Sequence, residues 1–157
     1  MMGMKVFLVR HAEATEKEGT QQITPKGREQ SAKNALVLKH FHPSISVVYH
    51  SSKLRAKQTA EIFHELLCHH VPLKEKSGVT PTDAAEASVR ELHSAKDNLM
   101  IVSHLPFLEK LASLLLYGEE KILPFNFSNS SVIILEKEDA HWQLIGMVSN
   151  HCFEIAH

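Results

Sequence analysis

Short apolar runs alternate along the chain with longer segments in which apolar residues recur every three or four positions. Runs rich in valine, isoleucine and aromatic residues are typical of buried strands, whereas the longer spacing is typical of one face of a helix. On this pattern we predict strands at 5–9, 45–49, 71–75, 98–104, 132–138 and 141–149. Helices are predicted within 24–41, 53–70, 80–95 and 106–118, and the polar stretch TEKEGTQQ (15–22) is predicted to be a loop.

Two threonine-proline pairs indicate where helices begin. Thr24 precedes Pro25 and Thr80 precedes Pro81, as expected where threonine caps a helix and proline fills its first position. Asp83 follows Thr80 by three residues, a spacing that resembles a capping box. We therefore predict that helices begin after Thr24 and after Thr80.

The order of these elements predicts the fold class. Strands and helices alternate over the first 117 residues, and two strands around Asp139-Ala140 then follow as a predicted hairpin. Strand–helix alternation favours an α/β fold in which a mainly parallel central sheet carries helices on both faces. The sequence thus predicts a three-layer α/β/α sandwich with antiparallel edge strands from the C-terminal hairpin.

Length and composition narrow the range of functions. A chain of 157 residues with a formal net charge of −1 is predicted to form one domain, 1–157, without the basic excess that binds nucleic acid. Cys68 and Cys152 lie far apart and outside any CxxC pattern, which favours a reducing compartment over a disulfide scaffold. The apolar run VFLV is too short for a signal-peptide core, and nothing approaches the length of a membrane span. We therefore expect a cytoplasmic protein that binds neither nucleic acid nor membrane.

Cationic side chains follow three of the predicted parallel strands, at the edge where open α/β sheets bind ligands. Arg10 and His11 end the first strand, Arg55 lies about one turn into the helix after the second, and His104 ends the strand NLMIVSH. Arginine forks bind phosphate or carboxylate through two hydrogen bonds, and a cluster of cations repels itself unless an anion is present. The sequence therefore predicts an oxyanion-binding site.

His11 is the candidate nucleophile of this site. Nearby cations depress the pKa of an imidazole from its reference of roughly 6.5, so His11 beside Arg10 and Arg55 is expected to be largely neutral. A neutral imidazole can attack phosphorus, and a hydrogen bond from its other ring nitrogen would select the attacking atom. His104 could bind a phosphate oxygen and stabilise charge on the transferred group.

Four sequence blocks resemble the signature blocks of the histidine phosphatase superfamily, the phosphoglycerate-mutase-like group. They are RHAEA (10–14), ITPKGREQSA (23–32), SSKLRAKQTA (51–60) and IVSHLPFLEKLA (101–112). In length and in the text of these blocks, the chain is closest to the SixA-type phosphohistidine phosphatases, which lack the long insertions of the mutases. The resemblance covers roughly residues 4–117, and the terminal hairpin also fits.

The resemblance implies that His11 becomes phosphorylated and that Arg10, Arg55 and His104 form the phosphate pocket around it. The implied activity is a phosphohistidine phosphatase that acts on a protein phosphohistidine, such as one on a phosphotransfer domain, with inorganic phosphate as product. No cofactor or metal is expected, because the arginines supply the positive charge that magnesium supplies in other phosphoryl-transfer sites. The chain departs from the family at Ala12, where glycine is usual, and the added methyl group is expected to crowd the pocket slightly.

Two carboxylates are candidates for the general acid. Glu13 lies two residues after the nucleophile, and Asp83 lies in the segment where the larger relatives carry their acid, as does Glu86. Asp83 is also explained as a helix-start carboxylate and Glu86 as a solvated helix residue. A site without a dedicated acid is the remaining alternative.

Other functions remain open from the sequence. A mutase, a general small-molecule phosphomonoesterase or a non-catalytic phospho-binding module could use the same pocket, although none of the four pocket residues is missing. Twelve histidines also raise the question of metal binding, and HELLCHH (64–70) approaches the HExxH zinc-protease signature. The second histidine of that signature would fall at Cys68, so an amphipathic helix end with solvated histidines is favoured.

Overall fold

A computed structural model describes residues 3–150 of the chain. Within that range the strands are β1 (Met4–Arg10), β2 (Ala14–Lys17), β3 (Thr20–Ile23), β4 (Val47–His50), β5 (Leu73–Glu75), β6 (Leu99–Ser103), β7 (Val132–Glu138) and β8 (His141–Val148). The helices are α1 (Pro25–His40), α2 (Leu54–Leu67), α3 (Glu86–Ser94) and α4 (Phe107–Tyr117).

Six strands form one sheet in the order β5-β4-β6-β1-β7-β8. The four strands from β5 to β1 run parallel, whereas β7 pairs antiparallel with β1, and β8 pairs antiparallel with β7. The mainly parallel sheet with antiparallel strands from the C-terminal hairpin is therefore confirmed. The register sets Arg10 beside Ser103 and His50 beside Val102, so the carboxyl ends of β1, β4 and β6 meet at one edge.

Helices cover both faces of this sheet. On one face α1 and α2 pack against residues that include Phe7, Val48 and Val102. On the other face α3 and α4 pack against the alternate residues of the central strands, including Leu8 and Ile101. Because successive residues of a strand point to opposite faces, a strand covered on both faces is a continuous apolar run. The predicted α/β/α sandwich is confirmed.

The start of α1 and the end of α4 follow the predicted signals. The Thr24 hydroxyl accepts a hydrogen bond from the Gly27 N–H at 2.9 Å, and Pro25 begins the helix. Gly118 ends α4 with a φ of 75°, in the left-handed region where glycine has no steric penalty. Local sequence signals therefore set these two boundaries.

The prediction of a loop at 15–22 is wrong, because β2 and β3 form an antiparallel hairpin there. Glu18 and Gly19 turn the chain with φ angles of 54° and 80°, as two-residue hairpin turns require. The Gln58 side chain of α2 accepts a hydrogen bond from the Ile23 N–H at 2.9 Å and so ties the hairpin to the sandwich. Its residues are mostly polar and exposed. The apolar alternation that normally marks a strand is therefore missing.

The prediction that a helix begins after Thr80 is also wrong. The Thr80 N–H and hydroxyl donate to the Asp83 carboxylate at 2.8 and 2.6 Å, and the Asp83 N–H donates back to the Thr80 carbonyl at 3.1 Å. These hydrogen bonds close a local turn, so the capping-box residues stabilise that turn instead of a helix end. Helix α3 begins later, at Glu86.

Two further observations concern the cysteines and the length of the helices. Cys68 is a buried free thiol, and burial raises its pKa to about 11. Cys152 lies outside the described residues. Across residues 3–150, no helix has both the length and the apolar character needed to cross a membrane.

Candidate active site

Three neighbouring strand ends bring the predicted pocket residues together. The His11 N–H donates to the Ser103 carbonyl at 2.9 Å, which joins the residue after β1 to the end of β6. The ring centroids of His11 and His104 are 5.2 Å apart. Arg55 lies in the first turn of α2, and its charge acts on both rings. With Arg10 at the end of β1, all four side chains lie near one another at the carboxyl edge of the sheet, in a place that we call the crevice.

One backbone contact orients the His11 ring. Its Nδ1 lies 2.8 Å from the Ala12 carbonyl oxygen. A carbonyl only accepts, so this contact is a hydrogen bond when Nδ1 carries the proton. In the neutral ring, Nε2 then holds the free electron pair. The chain itself therefore selects Nε2 as the basic atom of His11.

Both histidines of the crevice are held neutral. Burial is the largest cause that lowers the pKa of His11 to about 4, and the charges of Arg55 and Arg10 lower it further, against the hydrogen bond to Ala12. Burial, followed by the charge of Arg55, lowers the pKa of His104 to about 3. Lys53, which the sequence analysis did not single out, adds to this effect on His104.

Arg10 and Arg55 are the fixed cations of the site. Arg10 Nη1 donates to the Phe127 carbonyl at 2.8 Å, while its Nε is buried without a hydrogen-bond partner among the described residues. Burial lowers the pKa of both guanidinium groups, and the carboxylate of Glu109 on α4 raises that of Arg10. Guanidinium groups stay protonated in proteins, so both charges persist at neutral pH.

A serine that the sequence analysis missed positions the second histidine. His104 is 1% exposed, and its Nε2 lies 2.5 Å from Ser51 Oγ at the end of β4. The same oxygen accepts a hydrogen bond from the Lys53 N–H at 3.3 Å. His104 Nδ1 is buried and finds no partner within residues 3–150. Ser51 stands beside the exposed Ser52 in one sequence block, and nothing in the sequence tells which of the two turns inward.

Thr59 links the nucleophile loop to the arginine helix. Its Oγ1 accepts a hydrogen bond from the Ala12 N–H at 2.9 Å and donates to the Arg55 carbonyl at 2.8 Å. The buried hydroxyl thus fixes the distance between the backbone beside His11 and the turn that carries Arg55. Thr59 lies in the block SSKLRAKQTA, but its role depends on a contact across 47 residues of chain.

The segment before β7 supports the same loop from the other side. The Asn129 side-chain amide donates to the His11 carbonyl at 3.1 Å, and the Ser130 N–H donates to the Arg10 carbonyl at 3.1 Å. Ser130 has a φ of 63° and is itself held by Asn34 of α1, whose amide donates to the Ser130 carbonyl at 2.8 Å. No periodic pattern marks these residues, so the sequence analysis missed them.

The methyl group of Ala12 is buried and faces Gly27 of α1. A Cβ built on Gly27 would lie 3.1 Å from the Ala12 Cβ and 2.6 Å from the Glu13 carbonyl oxygen. Ala12 has no exposed surface. Its methyl group therefore packs against the space that Gly27 leaves open at the start of α1.

The two candidate acids make local contacts. Glu13 Oε1 accepts a hydrogen bond from the Thr24 hydroxyl at 2.8 Å, so this carboxylate belongs to the cap of α1. Hydrogen bonds from the Thr80 side chain and backbone lower the pKa of Asp83. A general acid needs the opposite shift, because it must hold a proton near neutral pH. Glu86 is exposed at the first position of α3.

The zinc-protease-like segment has a structural role in the described part of the chain. The His64 Nε2 donates to the Val71 carbonyl at 2.6 Å, just beyond the end of α2, and Cys68 is buried against the core. Among residues 3–150, no group of three or more histidine, cysteine, aspartate or glutamate side chains is arranged to hold a metal ion.

Comparisons with known proteins concern the family and the fold of the chain. Residues 6–82 match the family model described as the histidine phosphatase superfamily (branch 1), whereas no curated protein matches the chain in sequence. Among solved structures, the chain is similar to the protein histidine phosphatase SixA complexed with tungstate, at 24% identity and a TM-score of 0.83, over 93% of this chain and 97% of that one. A structure named as a phosphohistidine phosphatase SixA from Agrobacterium tumefaciens shares 18% identity and a TM-score of 0.77, over 95% and 99% of the two chains.

A third similar structure has a different named activity. It is a phosphoserine phosphatase from Entamoeba histolytica in complex with 3-phosphoglyceric acid, with 16% identity and a TM-score of 0.68, over 94% of this chain and 98% of that one. These structures share the fold over nearly the whole chain, and the family match spans the blocks that begin with Arg10 and Ser51. The resemblance to the histidine phosphatase superfamily seen in the sequence is confirmed over residues 6–82, and the chain shares the fold of these solved phosphatases.

Proposed function

We propose that the protein is a phosphohistidine phosphatase that acts on a histidine of a partner protein through a covalent phospho-His11 intermediate. In the first step, His11 Nε2 forms a bond to phosphorus while the P–N bond of the substrate breaks. The departing imidazole takes up a proton from water. In the second step, water attacks phosphorus, the P–N bond to His11 breaks, and inorganic phosphate leaves.

The hydrogen bond between His11 Nδ1 and the Ala12 carbonyl is the observation that carries this proposal. It presents the free electron pair of Nε2 beside two guanidinium groups, in a ring whose pKa of about 4 keeps it unprotonated. A neutral, oriented imidazole next to fixed cations is suited to attack a phosphoryl group that carries negative charge.

The cations of the crevice supply the stabilisation that this transfer requires. Arg10 and Arg55 would bind the phosphoryl oxygens, and neutral His104, held by Ser51, would donate one further hydrogen bond. Their positive charge replaces the role that magnesium plays in other phosphoryl-transfer sites. We therefore expect turnover to continue in the presence of a chelator, and activity that needs an added divalent ion would contradict this.

The candidate acids Glu13 and Asp83 are both held by hydrogen bonds to neighbouring threonines, which favours phosphohistidine over alkyl phosphates as the substrate. Breaking a P–O bond to an alkyl group expels a basic alkoxide, so a positioned acid matters greatly. Breaking the P–N bond of phosphohistidine expels an imidazole, which can leave neutral with a proton from water. Glu13 caps α1, and hydrogen bonds from Thr80 stabilise the ionised form of Asp83. The substrate that needs the acid least is therefore the best fit.

A small-molecule phosphomonoesterase is the second candidate, and the similarity to the phosphoserine phosphatase favours it. The two functions predict different ratios of kcat/KM for a phosphohistidine protein to kcat/KM for a small phosphate ester. We expect kcat/KM for a phosphohistidine protein to exceed that for 3-phosphoglycerate by several powers of ten. Equal or better turnover of 3-phosphoglycerate would identify a general phosphomonoesterase instead.

The proposed partner is a phosphohistidine-bearing protein such as a phosphotransfer domain, and the proposed compartment is the cytoplasm. An open crevice at a sheet edge can receive a histidine presented on a protein surface. The buried, unpaired Cys68 thiol fits a reducing environment.

Trapping the intermediate tests the mechanism. The protein is mixed with a ³²P-labelled phosphohistidine phosphotransfer domain, quenched in base, and examined for acid-labile phosphate on His11. His11→Ala should lose both label and turnover, whereas the exposed His69 offers a matched control in His69→Ala, which should keep both. Turnover by a folded His11→Ala variant would refute the nucleophile.

A further inference from the structure

A groove of about 400 Å³ lies between α4 and the segment 119–127 that follows it. Pro106 and Glu109 line it from the start of the helix, and Ile122 and Phe125 line it from the segment. Neither the phosphate pocket nor the proposed chemistry uses this groove.

The groove adjoins the phosphate pocket at three points. Pro106 lies two residues after His104. The Glu109 charge acts on Arg10. The Phe125 ring contacts that of Phe127 at a centroid distance of 5.9 Å, and the Phe127 carbonyl holds the Arg10 guanidinium. A molecule whose phosphoryl group occupies the pocket would therefore extend into the groove if it were large enough.

Ile122 is the most exposed large apolar side chain in the described part of the protein, at 97% of its surface. The loop that carries it is held in place by Ser113 of α4. The Ser113 hydroxyl donates to the Glu119 carbonyl at 2.8 Å and accepts from the Lys121 N–H at 2.6 Å. An aliphatic side chain fixed in water loses its solvent contact only when a partner covers it, and Leu123 and Phe125 of the same groove add to the apolar surface beside it.

Charged side chains of both signs also line the groove. They are Glu109, Glu120, Lys110 and Lys121. A mixture of apolar side chains with charges of both signs is common in transient protein interfaces. A free phosphate or a small phosphate ester bound by Arg10 has little surface beyond its phosphoryl group, whereas a protein substrate has a surface that can cover Ile122.

We propose that this groove docks the segment of the substrate protein that flanks its phosphohistidine, with Ile122 as the apolar anchor. The inference rests on the proposed phosphohistidine phosphatase function. It assigns recognition of the protein to a surface next to the pocket, and recognition of the phosphoryl group to the pocket itself.

Steady-state kinetics of Ile122→Asp with two substrates test the proposal. One substrate is a phosphotransfer domain phosphorylated on its histidine, and the other is the free amino acid phosphohistidine. We expect kcat/KM for the phosphotransfer domain to fall about tenfold or more, mainly through KM, as for the loss of an interface anchor. With free phosphohistidine, kcat/KM should stay within about twofold, because the small substrate does not occupy the groove.

Ile145→Asp is the matched control, because Ile145 is 43% exposed on β8 and lines a different cavity. It should leave both substrates unaffected. Unchanged kinetics of Ile122→Asp with the phosphotransfer domain, an equal loss with both substrates, or the same selective loss in Ile145→Asp would each overturn the docking assignment. If wild-type protein turns over neither phosphohistidine substrate, the proposed function fails, and the docking proposal fails with it.

Discussion

The crevice at the carboxyl edge of the sheet and the cavity between α1 and β8 differ in nearly every property. The cavity has a volume of about 500 Å³ and mostly apolar walls, including Phe7, Leu38 and Ile145. The crevice instead gathers two arginines and two histidines, and hydrogen bonds from several elements fix its loop. Space alone therefore does not locate chemistry in this molecule. The convergence of guanidinium and imidazole groups at the ends of parallel strands is what favours the crevice as the candidate site.

After the loss of the nucleophile His11, the largest effect is expected from removing a cation of the crevice. Arg10→Ala and Arg55→Ala should each lower kcat/KM for a phosphohistidine protein by about a hundredfold or more, the scale for losing one electrostatic stabiliser. Arg55→Lys should restore activity only in part, because an ammonium group cannot make the two-pronged contact. Full activity in Arg55→Lys would show that point charge is sufficient there.

A substitution in the apolar cavity should have the opposite signature. Leu38 is 2% exposed and belongs to the core beneath α1. Leu38→Ala should lower the free energy of unfolding by about 2–5 kcal/mol, as for other buried leucines, while kcat/KM of the folded protein stays near wild type. Urea unfolding and kinetics on the same preparation measure both quantities. A loss of activity without a loss of stability would break the distinction between the two regions.

The pH dependence of stability should also distinguish the two regions, because it depends on the histidines of the crevice and not on the apolar cavity. The folded protein holds the pKa of His11 at about 4 and that of His104 at about 3, below the ordinary value of 6.5. As the pH falls below 6.5, the unfolded chain binds protons that the folded chain does not, so the free energy of unfolding falls until about pH 3, where His104 also becomes protonated in the folded chain.

The variants already described provide the test of this pH dependence. His11→Ala should show a shallower fall in the free energy of unfolding between about pH 7 and pH 5, because one refused proton is gone. Leu38→Ala should keep the wild-type slope. Urea unfolding at the two pH values measures this, and identical slopes in wild type and His11→Ala would contradict it.

The smallest effect on turnover is expected from a substitution of Glu13, at the edge of the crevice. Glu13→Gln keeps an acceptor for the Thr24 hydroxyl and removes only the charge, so turnover of phosphohistidine should change little. Turnover of an alkyl phosphate should fall more if Glu13 assists the leaving group. A large loss with phosphohistidine would instead make Glu13 part of the main reaction.

Most of the fold could be predicted because apolar periodicity and local caps agree with it. β1 is apolar on both faces, and Thr24 caps α1 by local hydrogen bonds. The polar hairpin β2–β3 escaped prediction because its position depends on Gln58, which is distant in sequence. The late start of α3 escaped because Thr80 and Asp83 can close a turn as readily as a helix end.

The candidate site also contains residues that could be predicted from the sequence and residues that could not. Arg10, His11, Arg55 and His104 follow from the rule that places ligands at strand ends. The hydroxyl groups that orient them do not follow, since Ser51 and Thr59 contact residues about 50 positions away. The site residues can be recognised in the sequence by their chemical type, whereas the hydroxyl groups that orient them can be recognised only once the three-dimensional structure is known.

The close approach of Gly27 to the nucleophile loop has an evolutionary consequence. The fold accommodates a methyl group at position 12, where glycine is usual in the family that the sequence resembles, so both residues are compatible with that position. Position 27 differs, because a Cβ there would lie 2.6 Å from the Glu13 carbonyl oxygen. An Ala12→Gly change would not relieve this clash, since the oxygen belongs to the backbone. The order of substitution is therefore constrained: position 12 can drift between glycine and alanine, while position 27 is held to glycine by the backbone that faces it.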